Sequence, residues 1–71
     1  MSQITASMAG TVLNVLVSAG DEVSAGQDVI ILESMKMEIP IDSPSSGTIT
    51  ELNVNIGDFV NEGDVLATLT T

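Results

Sequence analysis

Very few side chains in this 71-residue chain could take part in covalent chemistry. There is no Cys and no His, and Lys36 is the only basic residue. Ten carboxylates oppose that amine, for a formal net charge of −9. Without Cys or His there is no zinc finger, thiolate nucleophile, Ser-His-Asp triad or disulfide framework. An amine acts as nucleophile or base only where desolvation or another cation lowers its pKa. Lys36 instead sits between Glu33 and Glu38, with no second cation in the chain. What remains open to an exposed amine is modification by another enzyme.

The residues around Lys36 point the same way. The run Leu32-Glu33-Ser34-Met35-Lys36-Met37-Glu38-Ile39 has strand-like residues on both sides, which places Lys36 at the tip of a hairpin. A two-residue hairpin turn favours Asn-Gly, Asp-Gly or Gly, because its φ angles are positive. Met35-Lys36 offers none of these, whereas the six glycines read as turn residues elsewhere. A local rule broken at one point and kept at others marks a functional position. Met35 and Met37 lie one residue from the turn, so at least one is exposed. There it offers a flexible, polarizable contact suited to several partners. Glu33 and Glu38 read as solvated flanks.

The elements that position this tip are strands. Val, Ile and Thr together supply 22 of the 71 residues, and no window keeps an apolar helical period. Short apolar or alternating runs occur at residues 11–17, 29–32, 48–54 and 65–69, separated by turn residues, so the chain reads as all-β. Sliding the sequence by 37 residues pairs Ile4 with Ile41, Gly10 with Gly47, Val17 with Val54 and Leu32 with Leu69. It also superposes two copies of Gly-Asp-x-Val-x-x-Gly, at residues 20–26 and 57–63. Two repeats are too few for a solenoid; they predict quasi-two-fold symmetry within one domain. Their Gly residues supply positive φ, their Asp residues bond back to the backbone, and Val23 and Val60 plug the core. The expected core includes Val15, Val17, Ile30, Leu32, Leu52, Val54, Ala67 and Leu69, with Glu51, Asn53 and Thr68 outside.

Composition removes further classes. A charge of −9 repels nucleic acid, and one aromatic residue, Phe59, gives no stacking platform for bases. The first residues lack a secretory pattern, and no apolar run approaches the length of a membrane-spanning helix. A cytoplasmic domain without membrane insertion is the expectation. Asn61-Glu62-Gly63-Asp64 lacks the alternating acids and distal Glu of a calcium loop, so no metal site is expected.

Glu33-Ser34-Met35-Lys36-Met37, centred between two β repeats, resembles the attachment motif of biotinyl domains, the biotin carboxyl carrier family. Ser34 is the one departure, where Ala or Val is more usual. The likeness covers essentially the whole chain and is greatest to the free-standing biotin/lipoyl attachment proteins. It implies a single domain over residues 1–71, with halves at about 2–34 and 39–71 and the attachment hairpin at 33–38. The implied fold is a flattened barrel-sandwich of two four-stranded antiparallel sheets with quasi-two-fold symmetry. Its termini lie opposite the lysine. Some carriers insert a thumb after the second strand, but here the two halves align through that region without an insertion, so none is expected. The resemblance further implies a carrier rather than an enzyme. Biotin would be joined covalently to Lys36 by a biotin protein ligase. The carrier would then shuttle carboxybiotin between a biotin carboxylase and a carboxyltransferase. Glu33, Ser34, Met35 and Met37 would form the recognition motif. The host would be a biotin-dependent carboxylase or decarboxylase, acetyl-CoA carboxylase of fatty acid biosynthesis among them, served either by a separate subunit or by an excised piece of a longer chain. The lipoyl carriers share the fold but usually show Asp-Lys-Ala, which leaves lipoate, or dual acceptance, as the alternative. Periplasmic adaptor proteins share a related barrel, split by a helical hairpin that has no counterpart here.

Overall fold

A computed structural model describes residues 2–70 of the chain. Its eight strands are β1 (Ser2–Thr5), β2 (Gly10–Val15), β3 (Glu22–Val23), β4 (Asp28–Ser34), β5 (Met37–Asp42), β6 (Gly47–Leu52), β7 (Phe59–Val60) and β8 (Val65–Thr70). They form two antiparallel sheets, ordered β1-β8-β6-β3 and β5-β4-β2-β7. Adding or subtracting 37 residues turns each strand of one sheet into its counterpart in the other, so the repeat in the sequence is the two-fold of the fold. Residues 16–21 join β2 to β3 directly, and no thumb intervenes.

The core follows the same symmetry. Among the described residues, fifteen buried apolar side chains and buried Ser43 form eight pairs 37 residues apart, including Ile4/Ile41, Ala6/Ser43, Val12/Ile49 and Leu32/Leu69. Val23 and Val60 are buried as the turn motif requires. Val15 and Leu52, read as core from their parity, are only partly buried and pack against it. Bulges are the reason. Register shifts fall between Val12 and Asn14 on β2 and between Ile49 and Glu51 on β6, and the extra residue resets the alternation. Matching shifts at Val29 and Leu66 leave adjacent residues buried, Val29 with Ile30 and Leu66 with Ala67, where strict alternation would turn one outward. Thr68, expected outside, is half-buried, while Glu51 and Asn53 are exposed.

Four glycines make turns and two do not. Gly20, Gly26, Gly57 and Gly63 have φ of 97, 84, 95 and 88°, each in third place of a four-residue turn, where a type II turn demands positive φ. Each turn is closed twice over. The backbone N–H of Asp64 donates to the Asn61 carbonyl at 3.0 Å, while the Asn61 N–H donates to Asp64 Oδ2 at 2.8 Å. Asp21, Gln27 and Asp58 repeat the pattern. Gly10 and Gly47, by contrast, open β2 and β6. A Cβ on Gly10 would stand 2.8 Å from the Glu33 carbonyl oxygen, so these two positions are bare because another strand passes close by.

This arrangement fixes where the lysine hairpin points. Gly10, at the start of β2, lies against Glu33 and Ser34. Gly47, at the start of β6, lies against Leu69 and Thr70, and Leu69 pairs with Ser2. The Gly20 N–H, just past the end of β2, donates to the Ile49 carbonyl at 2.7 Å, which brings the end of β2 beside the start of β6. The β4–β5 hairpin and the Ser2/Leu69 pair therefore occupy opposite ends of a body 33 Å long and 19 Å across.

Candidate functional site

Lys36 occupies the tip of the β4–β5 hairpin. Ser34 pairs with Met37, which leaves Met35-Lys36 as a two-residue loop. Met35 has φ 53° and Lys36 φ 65°, the only positive values on non-glycine residues among those described. Two consecutive positive φ angles define a type I′ turn, the geometry that matches strand twist and that Asn-Gly usually supplies. Here it is imposed on a Met and a Lys, at a cost of roughly 1–2 kcal/mol for each L-residue held left-handed. Hydrogen-bonded strands on both sides overdetermine the turn, the condition under which such strain persists at functional sites.

The side chains around the tip face solvent. Met35 is 89% exposed and Met37 64%, so both methionines flank the amine as apolar surface. Glu33 and Glu38 stand directly opposite each other across β4 and β5 at the foot of the hairpin, both exposed. Like charges in such a cross-strand pair are mildly destabilising, a second local rule set aside here. Ser34 is half-buried, and its Cβ would be 3.5 Å from a Cβ on Gly10. A small residue at 34 and a bare one at 10 let the end of β4 run close alongside the start of β2. The backing position Gly10 was the part of the site that sequence reasoning missed. Its repeat partner, Gly47, was the available signal, since neither glycine sits in a Gly-Asp turn.

No cavity opens in the described surface, and no cluster of acidic side chains among the described residues could hold a metal ion. Asp64 of the acidic stretch at residues 61–64 is engaged in capping its own turn. Among the described residues, no helix is long and apolar enough to cross a membrane. A filled core and an open tip suit a group held outside the body by a covalent bond, and Lys36 presents an unobstructed amine for one.

The family model described as "Biotin-requiring enzyme" matches residues 2–69. The chain belongs to that biotin-requiring family. It is 54% identical over 66 residues to the biotin/lipoyl attachment protein of Bacillus subtilis, covering 93% of this chain and 90% of that one. It is 48% identical to the biotin carboxyl carrier protein of Streptococcus mutans over 90% of this chain and 49% of that protein. Among solved structures, the urea carboxylase of Kluyveromyces lactis superposes with a TM-score of 0.91 at 30% identity, over 97% of this chain but 6% of that one. The same two-sheet body thus stands nearly alone in one relative and forms a small part of a large carboxylase in another. Biotin is the cofactor of this family, and its small members are carriers rather than catalysts. The open lysine tip of this chain fits a covalently held cofactor.

Proposed function

We propose that this chain is a biotin carboxyl carrier, acting as one unit over residues 1–71, with Lys36 as the residue that receives the cofactor. The observation that carries this reading is the exposed type I′ tip, which holds a lone amine clear of the body in a member of a biotin-requiring family. In the loading step, the deprotonated Lys36 Nζ attacks the carboxyl carbon of a biotin activated as its adenylate by a biotin protein ligase. An N–C amide bond forms, the C–O bond to AMP breaks, and the amine proton passes to solvent. When attached, the cofactor supplies reversible carriage of a carboxyl group.

The chain's own contribution is positional. The hairpin holds the arm at one end of a 33 Å body, and tethering raises the cofactor's effective concentration at each active site it can reach. Met35, Met37, Glu33 and Ser34 form the surface that a ligase reads. The loaded carrier then visits a biotin carboxylase and a carboxyltransferase of a biotin-dependent carboxylase, in the cytoplasm, where ATP and bicarbonate are at hand. An acyl-CoA carboxylase is one such host. Lipoate on the same amine is the second reading, favoured by the name of the 54% identical relative, a biotin/lipoyl attachment protein.

The test is intact-mass measurement with peptide mapping after incubation with biotin, ATP and a biotin ligase. A single biotinyl increment on Lys36, absent in a folded Lys36→Arg variant, is the expected result. A lipoyl increment on protein from cells supplied with both cofactors, without a biotinyl one, moves the chain to the lipoyl carriers. No increment under either condition overturns the carrier reading.

A further inference from the structure

The internal two-fold provides a control within the molecule, since each position on the lysine-bearing sheet has a counterpart on the other sheet in an equivalent backbone setting. Inside, counterparts match in kind: seven of the eight buried pairs are apolar on both sides. Outside, they do not. Among the described residues, and apart from the tip methionines, the exposed large apolar side chains are Met8, Leu13, Leu16, Ile56 and Phe59. All five lie on β2 or β7 of the lysine-bearing sheet, or on the segments that enter and leave those strands. Their counterparts are Ser45, Thr50, Asn53, Ala19 and Glu22, each polar or small.

Four of the five gather on one outer face. Phe59 pairs with Thr11, and Thr11 with Glu33, so the ring stands two strand spacings, roughly 10 Å, from the foot of the lysine hairpin. The Gly57 N–H donates to the Val12 carbonyl at 2.8 Å, which sets Ile56 beside Leu13. The Leu16 N–H donates to the Val29 carbonyl at 2.9 Å and carries β2 onward past β4.

We propose that this face docks a partner protein presenting an apolar patch rimmed by Lys and Arg, namely the catalytic subunit that draws the Lys36 arm into its active site. The proposal rests on the carrier reading above and names the surface by which the partner grips the carrier. Area supports it. The tip end is only 19 × 19 Å across, roughly half of the ~800 Å² per partner that a specific interface covers. A partner that engages Lys36 gains contact area by extending down one side, and among the described residues one side carries the exposed large apolar anchors. Charge selects the class of partner. With a net charge of −9 and Glu33, Glu38 and Asp58 exposed around the patch, a second copy of the chain is repelled and a basic rim attracted.

The test replaces each anchor with the residue its counterpart carries, giving the triple variant Leu13→Thr, Ile56→Ala, Phe59→Glu. The equivalent backbone already accommodates these residues, so folding is expected to persist, as checked by cooperative unfolding. A sheet-face control carries Glu22→Ala and Thr50→Ala. All three proteins are biotinylated, and the biotin carboxylase and carboxyltransferase of the source cell are assayed against carrier concentration. The proposal expects the triple variant to raise the carrier KM of at least one enzyme about tenfold with kcat little changed, a loss typical of interface anchors, while the control does not. Equal KM values for all three proteins overturn it. So does sedimentation showing that the patch instead joins two copies of the chain. Failure of the unsubstituted chain to accept biotin is a separate result, which removes the carrier reading and this surface with it.

Discussion

At the scale of single residues, the tip is where the proposed function and local stability conflict. Met35 is held at φ 53° although nothing in its side chain favours that conformation. Asn tolerates the left-handed region far better, so Met35→Asn should stabilise the domain by about 0.5–1 kcal/mol and slow ligase-dependent labelling of Lys36. Urea unfolding combined with a biotinylation time course measures both. A variant no more stable than the parent would show that the turn is not strained. The sequence exposed this site clearly. The absence of turn residues at 35–36 was visible without coordinates, because every other turn obeyed the rule. The positive φ values and the outward placement of both methionines were not visible, since they depend on the Ser34/Met37 register.

At the scale of the elements, the glycines that open β2 and β6 matter more than their conformational freedom suggests. A Cβ on Gly47 would collide with the Thr70 carbonyl and come within 2.6 Å of Leu69 Cδ1. Backbone cannot yield as a flexible side chain does. Gly47→Ala should therefore cost about 1–3 kcal/mol, as overpacking does, and thermal unfolding measures it. A neutral substitution would mean that β6 and β8 are looser than their paired register implies. In the sequence these two glycines read as turn formers, because their Gly identity alone does not separate positive φ from close approach. The two-residue strands β3 and β7 were hidden for a related reason. They are too short to show alternation, and only Val23 and Val60 betrayed them. The bulges at Leu13 and Thr50 escaped as well, and with them the partial burial of Val15 and Leu52.

At the scale of the whole molecule, charge and docking respond to salt in opposite directions. Ten carboxylates against one amine on a 71-residue body repel one another, and salt screens that repulsion within a Debye length of about 10 Å at 0.1 M. Raising sodium chloride from low to moderate concentration should lift Tm by about 4–8 °C, the equivalent of about 1 kcal/mol in a domain of this size. The same change should weaken association with a basic partner. Calorimetry tests the first effect and carrier KM against salt tests the second; a flat Tm would mean that the charges are too dispersed to oppose folding. The two-fold that organises the body was legible as the 37-residue repeat because buried positions, Ser43 apart, hold apolar side chains in both halves. The outer faces carried no such constraint and diverged, which is why the repeat revealed the core and concealed the apolar face.

The two-fold also explains why the lysine hairpin has no counterpart. Adding 37 to Ser34 and subtracting it from Met37 carries the pair beyond the described residues. Two separate half-chains could assemble the same pair of sheets. Joining them in tandem closes one pole into a loop. Lys36 lies on that seam. The proposed attachment residue thus occupies the one part of the barrel that a single, unduplicated half would lack, so the turn that presents the amine exists only because the two halves are joined there.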